Sequence, residues 1–283
     1  MNEVIARPRT EVPLIRIIRR AVVAYAALAS ISLKSALAYV TANWLEFGLQ
    51  FLWMAAFVYF WRAVYAGRPT IAGLELHQTL DYIILSTTFM PLVERFLIVE
   101  FGWMLREGQL AIELLRPVDF QINIYLGQLT GLLSSLLQKV PLLLFAWFFF
   151  GLRLPSNPLI WLAFAVSLLL GHAIMFCFGW TFACLAFYTT ETWGLYKLQV
   201  GLARLTSGAM VPLTMMPGWL QTVCQSLPFA QVIFVPIALL TGITPLSQTP
   251  QVWAVQVLWL IGLLGFSRLI FHLAIRKVTI QGG

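Results

Sequence analysis

Long apolar segments recur along the chain and are separated by short polar connections. An α-helix rises about 1.5 Å per residue and the hydrocarbon layer of a bilayer is about 30 Å thick, so a membrane span needs about 20 mostly apolar residues. Six segments meet this requirement, at residues 45–65, 80–101, 124–150, 159–187, 195–213 and 253–274. The pattern predicts an all-α integral membrane protein with six transmembrane helices.

The segment between the fifth and sixth expected spans is apolar but rich in helix breakers. Residues 215–242 contain Pro217, Gly218, Pro228 and Pro236, and proline removes a backbone hydrogen bond from a helix interior. Interrupted backbone at membrane depth occurs where protein or water covers its polar groups. The pattern favours a re-entrant helical hairpin that dips into the outer leaflet, and one additional kinked span is the alternative.

The N-terminal part combines basic residues with a short apolar run. Arg19 and Arg20 precede this run, and Lys34 interrupts the region that follows. The combination is typical of an amphipathic helix that lies on the inner leaflet. A signal peptide is the alternative, because the Ala-Leu-Ala sequence at 36–38 imitates a cleavage site.

Composition agrees with a membrane location. Hydrophobic residues make up 60% of the 283 residues and charged residues only 10%, whereas soluble domains contain about 25% charged residues. The mean hydropathy is +0.85. A soluble fold of this size could not cover so much apolar surface, which excludes the soluble classes.

The formal charge of +7 indicates membrane orientation and no nucleic-acid partner. The basic residues flank the apolar runs and do not form one polar cluster. Most of them fall at one set of span ends, namely Arg7, Arg9, Arg16, Arg19, Arg20, Lys34, Arg106, Arg116, Lys197, Arg204, Arg276 and Lys277. Because basic loops stay in the cytoplasm, we expect both termini on the cytoplasmic side.

Motifs of catalytic or metal sites are absent from the sequence. No lysine completes a GxxxxGK[ST] phosphate loop, so the chain is not expected to bind ATP by that route. The three histidines are far apart, and the three cysteines lack the spacing of a zinc site. We therefore expect a chain that is not itself an enzyme and has no cofactor or metal of its own.

The connection over residues 103–119 has an amphipathic pattern. In a helix, Leu105, Ile112 and Leu115 share an apolar stripe while the charged side chains lie elsewhere, and Pro117 ends the helix. Two interpretations are open. The helix either anchors the connection at the membrane surface or docks a partner that pushes on two spans.

Ionisable residues inside expected spans need a partner or a water-filled cavity, since each costs about 2.5–3.5 kcal/mol at mid-membrane. If the first two spans are antiparallel neighbours, Arg62 lies near Asp81 and Glu46 near Arg95, which favours structural pairing. The alternative is that acidic residues line a pathway for a cationic substrate. The candidates for this pathway are Asp81, Glu94 and Glu100.

Several segments together resemble a known family. They are REGQLAIELLRPVD (106–119), SGAMVPLTMMPGWL (207–220), LPFAQVIFVPIALLTG (227–242) and RKVTIQGG (276–283). Through them the chain resembles the type 2 ABC exporter permeases, the ABC-2 family transporter proteins, and within these the bacterial and cyanobacterial branch of viologen exporter permeases. The Leu-Leu-Arg-Pro element and the Gln-Gly-Gly ending are the most specific features.

The resemblance implies a single membrane domain of an ATP-driven exporter in the bacterial plasma (inner) membrane. The permease would dimerise with a second copy or a related permease, and separate ABC ATPase subunits would bind ATP and Mg. These subunits would contact a coupling helix at 103–120 and the interfacial helix at 12–33, while 215–242 would form an external gate. The implied coupling residues are Arg106, Glu107, Gly108, Glu113, Arg116, Pro117 and Asp119, and the gate residues are Pro217, Gly218, Pro228 and Pro236.

The sequence leaves two interpretations open for the cargo and two for the energy source. An uncharged outer region with Met210, Met215 and Met216 suits an amphipathic or lipid-like molecule, while the family resemblance implies organic cations. The alternative function is a secondary transporter driven by an ion gradient, which would use intramembrane acids or histidine directly.

Overall fold

The computed structural model describes residues 40–94, 96–116, 118–189 and 191–276. In these ranges the chain forms ten α-helices and one two-stranded hairpin. The expected interfacial helix at 12–33 and the C-terminal residues 277–283 lie outside the described residues. In chain order the elements are α1 (Val40–Val64), β1 (Thr70–Ile71), β2 (Leu74–Glu75), α2 (Leu76–Val93), α3 (Leu97–Arg106), α4 (Gln109–Leu114), α5 (Phe120–Phe150), α6 (Pro158–Ala183), α7 (Thr192–Thr206), α8 (Gly218–Ser226), α9 (Phe234–Leu240) and α10 (Thr249–Ile275).

Four segments of the described chain are helical, long and apolar enough to cross a membrane. They are Phe47–Val64, Phe120–Phe150, Pro158–Phe187 and Leu246–Ile275. Their outer sides expose large apolar side chains such as Leu144, Phe148 and Leu258, which lipid solvates and water does not. The structure therefore confirms an all-α protein that crosses the membrane several times.

The other two expected spans take a different form. Where one helix is expected over 80–101, α2 ends at Val93 and α3 begins at Leu97, with extended backbone at Glu94. Pro91 lies less than one turn before this break and cannot donate a backbone hydrogen bond. Helix α7 has only 15 residues. A total of six spans stays a prediction.

The chain after α7 contains a pair of helical segments with a sharp bend between them. Gly218–Ser226 and Pro228–Leu240 meet at 75°, which fits either a broken span or a re-entrant hairpin, so the gate stays a prediction. The four residues expected in the gate lie at the ends or in the interior of these segments. Pro217 precedes α8, Gly218 is its first residue, Pro228 begins a 3-10 turn, and Pro236 is buried in α9.

Helix α6 lies at the centre of the packing. It packs along α10 and also contacts α3 and α9. At Gly171 the approach is very close, because a Cβ atom there would lie 2.9 Å from the Gln231 carbonyl oxygen and 3.0 Å from the Val232 Cα. The buried apolar residues form two clusters, one around α1, α2 and the bent segment and one around α3, α6 and the end of α10.

The turn after α7 is held by hydrogen bonds from α2. Gly208 has a left-handed φ of +77°, and its carbonyl oxygen accepts a 2.7 Å bond from the Tyr82 hydroxyl. The next carbonyl, of Ala209, accepts a 2.9 Å bond from the Ser86 hydroxyl. These side chains satisfy two carbonyls that would otherwise be buried without partners, so the turn is fixed where α7 stops.

Replacement of Gly208 by alanine should destabilise the protein. A non-glycine residue with left-handed backbone costs about 1–2 kcal/mol, and the new Cβ would lie only 3.1 Å from the Tyr82 hydroxyl oxygen. The unfolding midpoint can be followed in detergent with a thiol-reactive fluorophore, because the three cysteines are free and buried. In the control Gly127→Ala the Cβ meets nothing within 4 Å. Equal midpoints for the two variants would contradict the role of Gly208.

Candidate functional site

The connection between α3 and α5 contains the implied coupling residues. Helix α3 ends at Arg106, followed by Glu107 and then Gly108 with a left-handed φ of +69°, and α4 begins at the next residue. Glycine adopts this backbone without steric cost, so the chain changes direction here. Within the range expected for the coupling helix, the structure thus has two helices joined at Gly108.

Helix α4 is anchored on one side and apolar on its exposed side. Leu110 is buried in the cluster that contains Phe120 and Trp180. By contrast, Ile112 is 63% exposed and Leu115 is 84% exposed. A short helix with this distribution is held by the fold while it presents apolar side chains outward, which fits both interpretations of this helix, docking of a partner and anchoring at the membrane surface.

Two short-range polar contacts lie at the surface of the connection. Arg116 forms a 2.9 Å salt bridge with Glu113, and the Gln109 side-chain amide donates a 2.7 Å hydrogen bond to Glu107. Exposed pairs of this kind contribute only about 0–1 kcal/mol to stability. Their charges are therefore available to a partner at little cost to the fold. Pro117 lies outside the described residues.

Asp119 connects the start of α5 to α10. Its Oδ1 atom accepts a 2.8 Å hydrogen bond from the Ile122 backbone N–H, which caps α5, and its other carboxylate oxygen pairs with Arg268. The hydrogen bond from Arg268, together with those from the backbone, holds the Asp119 pKa below its ordinary value of 3.8. The predicted coupling residue thus joins the connection to the last described helix.

Glu94 pairs with Arg204 at the break between α2 and α3. The guanidinium of Arg204 donates two hydrogen bonds to the carboxylate, at 2.5 Å and 2.8 Å. This two-point geometry is the stronger form of the interaction. The Glu94 side chain is only 9% exposed and that of Arg204 is 47% exposed. The pair ties the break between α2 and α3 to α7, so Glu94 has a structural partner.

Asp81 also has a structural contact, but not the expected one. It accepts a 3.0 Å hydrogen bond from the Arg153 backbone N–H, while Arg62 lies over the Tyr59 ring at 5.6 Å. The ion pair expected between Arg62 and Asp81 is not present among the described residues. Glu46 and Arg95 cannot be compared, because their side chains lie outside the described part of the chain. Glu100 lies in the first turn of α3 and is half-buried.

An apolar groove of about 400 Å³ lies between α1, α2 and the turn after α7. Trp53 and Phe57 form part of one wall, with ring centroids 5.3 Å apart, and Met90 and Met210 contribute flexible side chains. Arg204 is the only ionisable side chain among the described lining residues. The volume is typical of small-molecule sites, which range over about 300–1,000 Å³, and the lining suits an apolar body with one polar end.

Sequence reasoning did not find this groove. The sequence pattern placed Arg204 only among the basic residues that indicate orientation. The available signal was the position of Arg204, since an arginine in an apolar segment requires a partner or a cavity. Asp81, Glu94 and Glu100 are not among the described residues that line the groove.

These features define a multi-pass α-helical membrane protein with a polar connection between its helices. A family model described as ABC-2 family transporter protein matches residues 51–282. The match covers most of the chain, so the protein belongs to this family and is a permease subunit of an ABC transporter. Such a subunit works with ABC ATPase subunits and is generally not an ATPase itself. A comparison with curated proteins found no match. The viologen exporter branch stays a prediction.

Replacement of Asp119 by asparagine should remove a pH-dependent part of the stability. Asparagine can still cap α5, so the variant removes only the charge that pairs with Arg268. Because the folded-state pKa of Asp119 is lowered, the pair stabilises the fold above the ordinary pKa and loses this effect as the pH falls through the lowered value.

The variant should therefore be less stable than the wild type by about 0.5–1 kcal/mol near neutral pH. The difference should shrink below about pH 4. Unfolding midpoints measured from neutral to acidic pH check this, with Glu113→Gln at the exposed pair as the control. A stability difference that stays constant with pH would contradict the ion-pair assignment.

Proposed function

We propose that this chain is the permease of an ATP-driven exporter whose α3–α4 connection docks a separate ABC ATPase subunit. The observation that carries the proposal is the exposure of Ile112 in α4 and of Leu115 directly after it, on a segment that Leu110 anchors in the core. The ATPase would bind ATP and Mg, and this chain would supply the path. Arg106, Glu107, Glu113 and Arg116 would provide charged contacts around the apolar centre of the interface.

Movement of the docked helix would reach the membrane helices by two routes. One runs through Gly108 into α3, which packs on α6. The other runs through Asp119 into α5 and, by the pair with Arg268, into α10. A partner that displaces α4 would therefore act on several helices together, as alternating access requires.

Two long-range contacts support the proposed topology. The pair Asp119–Arg268 brings the start of α5 close to the later part of α10, and the Asp81–Arg153 contact brings the early part of α2 close to the end of α5. We place the first contact near the cytoplasm and the second near the outside. In this topology α2 with α3, and α7 with the chain after it, are the remaining two of six spans. Both termini then lie on the cytoplasmic side of a bacterial inner membrane.

We propose the groove beside Arg204 as the cargo site. Its walls are mainly apolar, and its described ionisable lining residue, Arg204, is already paired with Glu94, so the groove offers no free carboxylate to an organic cation and suits an amphipathic or lipid-like molecule better. Dimerisation with a second copy or a related permease would place two such grooves in one transporter. The bent segment after α7 would form the external gate.

The docking proposal predicts that Leu115→Glu uncouples the permease from its ATPase. The side chain is 84% exposed, so the fold should tolerate the change. Burial of an unpaired carboxylate in an interface costs several kcal/mol, and stimulation of ATP hydrolysis by the permease should fall by about tenfold or more. The measurement is the ATPase rate of the co-expressed complex in nanodiscs.

The matched control is Leu154→Glu, a 41% exposed leucine in the connection between α5 and α6. This position lies at the opposite ends of the helices, so the rate should stay at the wild-type level. An unchanged rate in Leu115→Glu would contradict docking at α4. Transport that continues without the ATPase and stops when the proton gradient is removed would assign the chain to the ion-driven transporters instead.

The cargo proposal predicts that Trp53→Ala weakens binding of a photoactivatable phospholipid in the groove. Loss of about 60 Å² of apolar contact at about 25 cal/mol per Å² corresponds to about 1.5 kcal/mol, or roughly tenfold in affinity. Cross-linking yield over a series of lipid concentrations measures this. Trp147 is 61% exposed and is not among the groove residues, so Trp147→Ala is the control. Equal cross-linking yields in the two variants would rule out the groove as the cargo site.

A further inference from the structure

A second, much smaller cavity lies inside the membrane domain. It has a volume of about 10 Å³ and is lined by Gln128 of α5, His172 of α6 and Gln199 of α7. His172 and Gln199 are each only 2% exposed. One water molecule needs about 10–15 Å³ measured in this way, so the cavity has room for one water and for no larger ligand.

Two side-chain oxygen atoms of the residues that line this cavity are buried and lack a hydrogen-bond partner among the described residues. They are the Oε1 atoms of Gln128 and Gln199. A buried carbonyl oxygen without a partner is costly, and two of them beside one cavity match the two O–H donors of a water molecule. The His172 imidazole lines the same cavity and adds a third polar contact. Buried waters usually make about three hydrogen bonds.

Other contents fit this cavity less well. A small cation such as Mg²⁺ or Ca²⁺ takes about six or more oxygen ligands, and the described lining residues offer two amide oxygens and no carboxylate. A dry cavity is typical of apolar linings, whereas polar cavities of sufficient size contain water. The chemistry of the lining therefore selects water.

We propose that one water molecule is bound between Gln128, His172 and Gln199 and bridges α5, α6 and α7. The site goes beyond the proposed export function and does not depend on it. Gly179 of α6 leaves the necessary space, because a Cβ atom there would lie 3.3 Å from the Gln199 side-chain nitrogen. The water would connect α7 to its neighbours without a charged group.

Hydroxyl-radical footprinting of the permease in nanodiscs tests the proposal. X-ray pulses produce radicals from bound water in place, and these oxidise the nearest reactive side chain. Met175 lines the cavity and is 4% exposed, whereas Met54 is 1% exposed and is not among the lining residues. We expect Met175 to be oxidised severalfold faster than Met54, because the proposed water lies beside Met175. Similar rates for the two methionines in the wild type would overturn the proposal.

Variants separate the bound water from general solvent penetration. The double variant Gln128→Leu/Gln199→Leu removes both oxygen acceptors, and Gly179→Ala narrows the space beside Gln199. Both variants should lower the oxidation rate of Met175 to that of Met54. Unfolding midpoints show which variants still fold. The control Gly201→Ala, whose Cβ meets nothing within 4 Å, should keep the wild-type ratio. A folded double variant that retains fast Met175 oxidation would also overturn the proposal.

Discussion

The fold depends on satisfying backbone carbonyls where helices stop inside an apolar environment. Within lipid an unpaired carbonyl costs several kcal/mol, yet the described chain interrupts its helices after α2, after α7 and through the bent segment. Side chains from neighbouring helices supply the missing donors. Gln256 of α10 is fully buried and donates to the carbonyl of Gln231 in the bent segment, as Tyr82 does to Gly208.

This constraint separates the molecule into regions with different roles. Uninterrupted helices such as α5, α6 and α10 give a regular frame, and the interrupted segments are held against it by individual hydrogen bonds and close glycine contacts. The groove lies beside one of these interruptions, because the turn after α7 contributes part of its wall. Broken backbone of this kind exposes polar groups to a cavity that a regular helix would keep paired, which explains why such segments suit transport paths.

The sequence predicts the frame much better than the interruptions. The long helices follow from the lengths of their apolar runs, and the polar connection at α4 follows from its charges and its amphipathic spacing. The break at Glu94 was not predicted, because the apolar residues on both sides of it suggested one continuous span, although Pro91 and Glu94 were local signals of an interruption. The pairs Glu94–Arg204 and Asp119–Arg268 join residues that are 110 and 149 positions apart, so local pattern alone could not identify them.

The three cysteines, all free and buried, have a further consequence for a chain that crosses between two redox compartments. Thiols on the outer face of a bacterial inner membrane meet enzymes that introduce disulfides. Cys224 lies in α8 and is 1% exposed, and burial denies such an oxidant access to its sulfur. In the proposed orientation, with this segment at the outer face, the folded permease would keep a reduced thiol near an oxidising compartment, and an exposed Cys224 thiol would show that the segment had opened.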